Sequence, residues 1–246
     1  MKNLYPKNEY QDKSSNEFLY WAKKAQSPLK KYEEIFLNNL LRSNTEKRIL
    51  EAGTGAGRVA ASLQKNNEKL IIDAFDSSKL LLDVAKKENS KYGIKFFYDD
   101  ITKLNNIPKG INYDYAIYLG QVISFVDLEN QKIALKKLLK YLKKDGILYI
   151  SLCNHNSSRF IYIRNLITIL IKTIFTFKYD FHLIPRFRVT GTKFTLSRDL
   201  SWWHNRKTVI KLFEDSGFKI NKLYLRKDLL SGRGINGFFY IEAVPK

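Results

Sequence analysis

Short apolar runs alternate along the chain with longer stretches whose apolar residues recur at helical spacing. The runs are rich in Ile, Tyr and Phe and are bounded by glycine or polar residues, as strands are. Five of them cover 47–52, 69–75, 94–98, 113–119 and 147–153. Helical spacing predicts helices between them, at 58–65, 79–87 and 129–143. This alternation predicts an α/β fold, with a mostly parallel sheet and helices on both faces.

The two ends of the chain and one internal segment depart from this alternation. Residues 1–45 predict a helical lead-in with a break at Ser27-Pro28. A helix at 207–215 precedes two strands, 218–226 and 237–244, which we expect to be antiparallel neighbours because their connection is short. A long insertion, 154–204, separates the fifth strand from that helix. We therefore expect one domain over 1–246 that carries the lead-in and the insertion.

Composition narrows the class of protein. Hydrophobic residues make up 44% and charged residues 27% of the 246 residues, which is ordinary for a globular protein. The single cysteine, Cys153, excludes a disulfide framework and a multi-cysteine metal site, and three histidines give little material for another. The first residues lack the apolar stretch of a signal peptide, and no run of about 20 apolar residues occurs. The sequence thus favours a cytoplasmic protein without a bound metal.

The net charge of +19 and the pI near 9.8 have two interpretations. A basic surface suits a polyanionic partner, either a nucleic acid or an anionic membrane. An excess of lysine, asparagine and isoleucine is also what an AT-rich genome would encode whatever the function. Eight of the 11 arginines lie at or after Arg159, and drift alone does not explain that concentration. The sequence leaves both interpretations open.

A glycine-rich turn follows the first predicted strand. Gly53, Gly55 and Gly57 stand at alternate positions, which lets the backbone approach a ligand closely at the start of a helix. Arg58 occupies the position where a dinucleotide fingerprint needs its third glycine. Glu51 would repel a pyrophosphate, so this turn suits a cationic ligand better.

Acidic residues end the second and third predicted strands. Asp76 lies 19 residues after Gly57, the usual interval to an acid that binds ribose hydroxyls. It could instead cap the next helix, as could the serines that follow it. Asp99 and Asp100 end the third strand, where a carboxylate could accept a hydrogen bond from an adenine amino group. Three such signals in order, each at the end of a strand, indicate a nucleoside-binding edge of the sheet.

With these motifs the chain resembles the class I S-adenosylmethionine-dependent methyltransferases. ILEAGTGAGR, DAFDSS and FFYDDI look like the first three motifs of that family, and YDYAIYLGQ with LKKLLKYLKKDGILYISL looks like its fourth strand, helix and fifth strand. The resemblance covers roughly 47–153 and 205–244. It implies a Rossmann-like sheet of seven strands in the order 3-2-1-4-5-7-6, with strand 7 antiparallel. It also implies S-adenosylmethionine as the cofactor, S-adenosylhomocysteine as the product, and no metal.

The resemblance assigns the cofactor to residues at the ends of the first four strands. They are Glu51, Gly53, Thr54, Gly55, Gly57, Arg58, Asp76, Ser77, Asp100, Ile101, Leu119, Gly120 and Gln121. The glycines would line the methionine and ribose, and Glu51 would order the amino-acid end. Asp76 would bind the ribose hydroxyls, and Asp100 with Ile101 would hold the adenine, with Asp99 as the alternative one residue away. Gln121 and the two residues before it would lie beside the reactive methyl group.

The same resemblance argues against several kinds of methyl transfer. The residues after the fourth strand, from Leu119 onward, are not the Asn/Asp-Pro-Pro-Tyr motif of amino-methylating nucleic-acid enzymes. Pyrimidine C5-methylation needs a cysteine nucleophile, and Cys153 lacks the second cysteine that would accompany it, so we interpret it as a buried structural thiol. No acid cluster follows the fourth strand to hold a catalytic metal.

The acceptor should be recognised by 1–45 and by the insertion, which leaves the carboxyl end of the fifth strand. We expect 154–204 to cap that edge, with Arg186, Arg188 and Trp203 facing an anionic or aromatic acceptor. His155 and His204 are the candidate general bases. The alternatives are a solvated strand face for the arginines, core packing for the tryptophan, and satisfied structural roles for the histidines.

The pattern within the insertion predicts a helix at 160–177. This helix is apolar except for a narrow polar stripe through Arg164 and Lys172. It could be a lid on the enzyme's own core, a helix lying in a membrane interface, or a homodimer or partner surface. The second would make a cytoplasmic protein membrane-associated.

Three functions remain from the sequence. The first is a methyltransferase for a small molecule or lipid-like metabolite, which transfers methyl to oxygen or nitrogen by positioning alone. The second is an RNA methyltransferase that uses the arginine-rich insertion; it ranks lower because 160–177 is too apolar to follow a nucleic-acid backbone. The third, a silent binding module, conflicts with the intact cofactor motifs.

Overall fold

The structure is a computed structural model that describes residues 11–155, 201–232 and 237–246, the backbone of 183–190 and 193–200, and two helical residues, Ile163 and Ile167. Both of those isoleucines are exposed. The rest of the predicted helix at 160–177 lies outside the described residues. The lid, membrane and dimer hypotheses for it therefore stay predictions.

A mixed sheet forms the centre of the molecule. Its strands are β1 (Lys47–Ala52), β2 (Leu70–Asp76), β3 (Lys95–Tyr98), β4 (Tyr113–Tyr118), β5 (Leu142–Asn154), β6 (Leu183–Thr190), β7 (Lys193–His204), β8 (Phe218–Leu225) and β9 (Phe238–Pro245). Strands β3-β2-β1-β4-β5 are parallel neighbours, and β9 pairs antiparallel with both β5 and β8. The predicted α/β class, the order of the seven core strands and the antiparallel last strand are confirmed.

Helices surround this sheet. They are α1 (Asn16–Ala22), α2 (Lys31–Phe36), α3 (Asn38–Leu41), α4 (Arg58–Asn66), α5 (Lys79–Glu88), α6 (Leu128–Leu138), α7 (Arg206–Asp215) and α8 (Arg226–Leu229). A short 3-10 helix, Val122–Phe125, follows β4. Side-chain caps begin α5 and α7, from Ser78 and Asn205. Within the part of the chain that the structure describes, none of the helices is long and apolar enough to cross a bilayer.

Alternate residues of the central strands bury their side chains in two separate apolar layers. In β1, Ile49 packs with Tyr149 and α4 on one face, and Leu50 packs with Leu148 and α6 on the other. Both β1 residues are fully buried. Ile49 and Leu50 are adjacent apolar residues, as expected in a strand that is covered on both faces.

The insertion adds two strands that the resemblance does not imply, so the expected count of seven is wrong for the whole sheet. β6 and β7 form an antiparallel hairpin, and the end of β7 pairs in parallel with the end of β5 through Cys153–Trp203 and Asn154–His204. β9 pairs with Cys153 along one edge of β5, so β7 must lie along the other edge. That is the edge that β4 occupies earlier in β5, up to Ile150. β5 extends beyond the last residue of β4 that pairs with it. β7 pairs with this extension of β5, whose edge would otherwise be unpaired.

Candidate functional site

Two adjoining cavities open at the carboxyl ends of β1 to β4. The first, of about 490 Å³, is lined by the glycine-rich turn and by residues 20–33, and we call it the N-terminal cavity. The second, of about 600 Å³, is lined by the ends of β2 and β3, and we call it the β3 cavity. Gly53, Asp76 and Val122 line both, so an elongated ligand can occupy the two together. This is the edge where ligands bind in open α/β sheets.

The first two glycines of the turn make the cavities possible. Gly53 and Gly55 have φ of +63° and +56°, which residues with a Cβ rarely adopt. A Cβ on Gly53 would approach Val122 Cγ2 to 2.2 Å, so no side chain fits there. A Cβ on Gly55 would meet only Leu81 Cδ1, at 3.9 Å. Gly55 therefore leaves open space beside the backbone, in the wall of the N-terminal cavity.

Gly57 and Arg58 make contacts within the protein that the resemblance does not imply. A Cβ on Gly57 would clash with Asn89 Nδ2 at 2.7 Å, so this glycine allows α5 to pack under the turn, and it lines neither cavity. Arg58 lines the N-terminal cavity, but its guanidinium donates twice to Glu33, at 2.8 and 2.7 Å, and once to Pro28 O. The hydrogen-bond partners of the Arg58 guanidinium therefore lie in the N-terminal lead-in.

Glu51 lies buried behind the turn. Its carboxylate accepts hydrogen bonds from Thr54 Oγ1, at 2.8 Å, and from the N–H of Ala60, at 3.0 Å. Burial raises the pKa of Glu51 to about 7, because a carboxylate loses its hydration there. A cationic group in the N-terminal cavity, which Glu51 lines, would favour the ionised form.

Asp76 ends β2 between the two cavities and fixes the turn. Its Oδ2 accepts from the N–H of Gly55, at 2.8 Å, and its Oδ1 accepts from the N–H of Ser78, at 2.8 Å. Burial raises the pKa of this carboxyl group. Asp76 therefore orders the start of α5 and also lines both cavities, and its role towards ribose stays a prediction. Ser77 lies beside it in the β3 cavity.

Residues 99–101 line the β3 cavity together, which leaves the choice between the two acids open. Asp99 accepts from the N–H groups of Asp100 and Asn106, at 2.7 Å each. Asp100 accepts from the N–H and hydroxyl of Thr102, at 2.8 and 2.6 Å. Ile101 is buried and packs in the core cluster of one sheet face as well as lining the cavity.

The end of β4 forms the side of the N-terminal cavity nearest the sheet. Leu119, Gly120 and Gln121 all line it. Gln121 has φ of +65°, directly after Gly120 at +74°. Left-handed backbone at a residue with a side chain costs about 1–3 kcal/mol and is retained where the surroundings enforce it. Here the N–H of Gln121 donates to Ser151 Oγ, at 3.2 Å, and the Cys153 thiol donates to Gln121 Oε1, at 3.6 Å.

The lead-in supplies the outer side of the N-terminal cavity, which we call the outer wall. It consists of Tyr20, Trp21, Lys24, Ser27, Pro28, Leu29, Lys30, Tyr32 and Glu33. Phe125, Phe238 and Tyr240 complete the aromatic part of the lining. The sequence indicated that 1–45 takes part in acceptor recognition but did not identify these residues. The sequence signal for a binding surface was the presence of aromatic residues beside lysines in the lead-in. Helical spacing led us to interpret those aromatic residues as part of the core.

The structure does not support the candidate bases or the candidate tryptophan. His204 is fully buried, with its Nε2 3.0 Å from Gln131 Oε1, and His155 is 2% exposed. Trp203 packs against Cys153 and Phe238, and its Nε1 donates to Ser201 Oγ. None of the three lines either cavity. These side chains are buried because the end of β7, with Trp203 and His204, pairs with the end of β5 beside His155. Arg186 and Arg188 lie in β6, whose side chains fall outside the described residues.

Comparison with known proteins shows what the chain is similar to. The family profile of a methyltransferase domain matches residues 49–146. The malonyl-[acyl-carrier protein] O-methyltransferase of Halalkalibacterium halodurans is 32% identical over 105 residues, which is 42% of this chain and 38% of that protein. The corresponding enzyme of Bacillus anthracis is 30% identical over 109 residues, 44% of this chain and 38% of the enzyme. The matched part is thus well under half of each curated relative.

Solved structures match nearly the whole chain. The CcbJ methyltransferase from Streptomyces caelestis has a TM-score of 0.69 at 12% identity and covers 98% of this chain and 99% of its own. Magnesium protoporphyrin IX methyltransferase from Synechocystis, solved with bound S-adenosylmethionine, has a TM-score of 0.61 at 14% identity, with 98% and 97% covered. Residues 49–146 therefore match a methyltransferase domain, and the chain has the Rossmann-like fold of these solved methyltransferases.

Proposed function

We propose that this protein transfers the methyl group of S-adenosylmethionine to a small-molecule acceptor and releases S-adenosylhomocysteine. The observation that carries the proposal is the pair of joined cavities around Gly53, Gly55 and Asp76, at the carboxyl ends of the parallel strands. An elongated nucleoside with an amino-acid tail has the shape of that space. The methyltransferase domain over 49–146 contains all three residues.

The chemistry of the lining suits this cofactor. The β3 cavity, with Asp76, Asp100 and Ile101, would take the ribose and adenine, and the N-terminal cavity would take the methionine part beside Gly55. Glu51 and Asp76 are buried acids whose pKa values burial raises, so a positive charge or hydroxyl groups placed against them would be favoured. The open space at Gly55 allows a ligand to contact the backbone directly.

The sulfonium cofactor supplies a methyl group that is already activated for transfer. The chain's own contribution is then to align the acceptor atom and to exclude water, and positioning of this kind is worth about 7–11 kcal/mol in favourable cases. Gln121, Ser151 and the residues of the outer wall all line the N-terminal cavity, where they can take part in this alignment. Methyl transfer by positioning also agrees with the placement of both candidate histidines outside the cavities.

A small acceptor fits the cavity better than a polymer does. The outer wall and the end of β4 both line the N-terminal cavity, and the acceptor would share its volume of about 490 Å³ with part of the cofactor. Nothing in the described residues favours an RNA acceptor. The malonyl-[acyl-carrier protein] enzymes that the chain resembles over 105 and 109 residues are named for O-methylation, and an oxygen acceptor is consistent with this lining.

The proposal is tested by following labelled methyl groups. The protein is incubated with methyl-tritiated S-adenosylmethionine and, separately, with the small-molecule and RNA fractions of cells that produce it. We expect label in the small-molecule fraction, which mass spectrometry then identifies. A Gly55→Ala variant serves as the control, because its methyl group occupies the space proposed for the cofactor. Label that appears only in RNA, or in neither fraction, would contradict the proposal.

A further inference from the structure

The outer wall is held rigidly against the scaffold. Arg58, at the start of α4, binds Glu33 through both ends of its guanidinium, and the two side chains are only 14% and 7% exposed. The N–H of Leu29 donates to Ser62 Oγ on the same helix, at 3.0 Å. On the other side, Phe18 packs with Leu81 and Ala56. The wall therefore presents its cavity-facing residues in a fixed arrangement, as a specificity element requires.

Charges in the N-terminal cavity are unevenly distributed. Three acids and three cations line it: Glu33, Glu51, Asp76, Lys24, Lys30 and Arg58. Arg58 and Glu33 neutralise each other, and the two other acids lie on the side of the glycine-rich turn. Among the described acids, none lies within ion-pair distance of Lys24 or Lys30. The outer wall thus carries two positive charges that no described carboxylate balances.

Each of these lysines lies over an aromatic ring. Lys24 Nζ is 5.6 Å from the ring centre of Tyr20, and Lys30 Nζ is 5.7 Å from that of Tyr32. Tyr20 in turn meets Trp21 edge-to-face, with 5.2 Å between ring centres. Lys24 is half-buried, whereas Lys30 is exposed. A cation held over aromatic rings within a cavity offers an anion a charge and offers a flat apolar group a surface for stacking.

From this arrangement we infer that the methyl acceptor is a small carboxylic acid with a flat apolar body, and that Lys24 selects it by its negative charge. The inference rests on the proposed methyl transfer and specifies its substrate class. The carboxylate would pair with the Lys24 ammonium, and the flat body would lie against Tyr20 and Trp21. Lys24 is then a specificity residue for the acceptor and is separate from the residues that hold the cofactor.

Benzoate and benzamide test the inference as a pair of probes with the same shape and different charge. NMR titrations of the protein saturated with S-adenosylhomocysteine give the affinity for each. We expect the wild type to bind benzoate about tenfold more tightly than benzamide, the gain typical of one charge-assisted contact. Lys24→Gln should remove this preference and retain the wild-type affinity for S-adenosylhomocysteine. Lys23→Gln is the matched control, since Lys23 is the exposed neighbour and lines neither cavity; it should behave as the wild type.

Three results would overturn the inference. In the first, the wild type binds both probes equally. In the second, it binds neither. In the third, Lys24→Gln loses affinity for S-adenosylhomocysteine while the benzoate preference survives, which would assign Lys24 to the carboxylate of the cofactor. If the wild type does not bind S-adenosylhomocysteine at all, the proposed function fails and the inference fails with it. Normal binding without a benzoate preference overturns the inference alone.

Discussion

Gly55 and Gly110 are two glycines with comparable backbone conformations, and only Gly55 lines a cavity. Both have positive φ, +56° and +78°, and a Cβ would meet no atom closer than 3.9 Å at either position. Alanine at each should therefore cost a similar 1–2 kcal/mol or so of folding free energy through backbone strain alone. Gly55 lines the N-terminal cavity and Gly110 does not.

We predict that Gly55→Ala and Gly110→Ala lower the melting temperature by similar amounts and that only Gly55→Ala weakens the binding of S-adenosylhomocysteine, by about tenfold or more. Thermal melts and calorimetric titrations of the two variants check this. Equal affinities for the ligand would remove Gly55 from the cofactor site.

Glu51 should make cofactor binding depend on pH. Its folded pKa of about 7 lies above the ordinary value of 4.5 for a glutamate. It therefore favours the folded ligand-free protein below about pH 4.5, and that contribution is lost as the pH rises towards 7. A cationic ligand needs the carboxylate, so we predict that affinity for S-adenosylmethionine increases between about pH 6 and 8, with release of a proton on binding. In Glu51→Gln that pH dependence should be absent. A pH-dependent affinity that survives in this variant would assign the titration to another group.

The positions of single site residues were predictable only where the strand ends fix them. Glu51, Gly55 and Asp76 lie at the edge where their position after β1 and β2 places them. Gly57 and Arg58 come from the same motif, but their roles depend on Asn89 and Glu33, which lie 25 or more residues away along the chain. Spacing contains no information about such partners. His204 shows the same limit, because its burial depends on where β7 joins the sheet.

Helices α2 and α4 are joined by the ion pair between Glu33 and Arg58. We predict that Arg58→Glu lowers both stability and affinity for S-adenosylhomocysteine, because it places two acids together where the outer wall meets the turn. Loss of a buried pair costs about 3–5 kcal/mol. The double variant Arg58→Glu, Glu33→Arg should recover most of both losses. Thermal melts and calorimetry measure the two quantities.

A second ion pair provides the control for this experiment. Asp114 accepts from Lys143 at 2.8 Å and lines neither cavity. Asp114→Asn should lower stability with no effect on ligand affinity. If Arg58→Glu changes affinity no more than Asp114→Asn does, the pair has a structural role only.

The insertion is the element whose function the sequence predicted most specifically. No described residue of 154–204 lines either cavity. We therefore predict that deletion of 157–200 leaves affinity for S-adenosylhomocysteine within about tenfold of the wild-type value. Labelled methyl transfer should be lost if the hairpin caps the acceptor, and calorimetry together with the transfer assay separates these effects. A large loss of ligand affinity in a folded deletion variant would place part of the insertion in the cofactor site.

For the whole molecule, the periodic part of the sequence was sufficient to predict the architecture. Buried parallel strands such as 47–52 and 113–118 contain short apolar runs whose adjacent residues face opposite sides of the sheet, and their alternation with helices restricts the topology. The β6–β7 hairpin was not predicted, because its pairing depends on how far β5 extends beyond β4. The outer wall was not predicted because helical spacing does not show which sheet edge a short helix covers.

The central claim is that the two joined cavities bind S-adenosylmethionine with Asp76 between them. Calorimetric titration with S-adenosylhomocysteine tests it most directly, on the wild type, on Asp76→Ala and on Asp83→Ala, an exposed acid of α5 that lines neither cavity. The wild type and Asp83→Ala should bind with equal affinity. Asp76→Ala should bind more weakly by about 1.5–3 kcal/mol, the range for hydrogen bonds to a charged group. No binding by the wild type, or equal affinities for all three proteins, would contradict the claim.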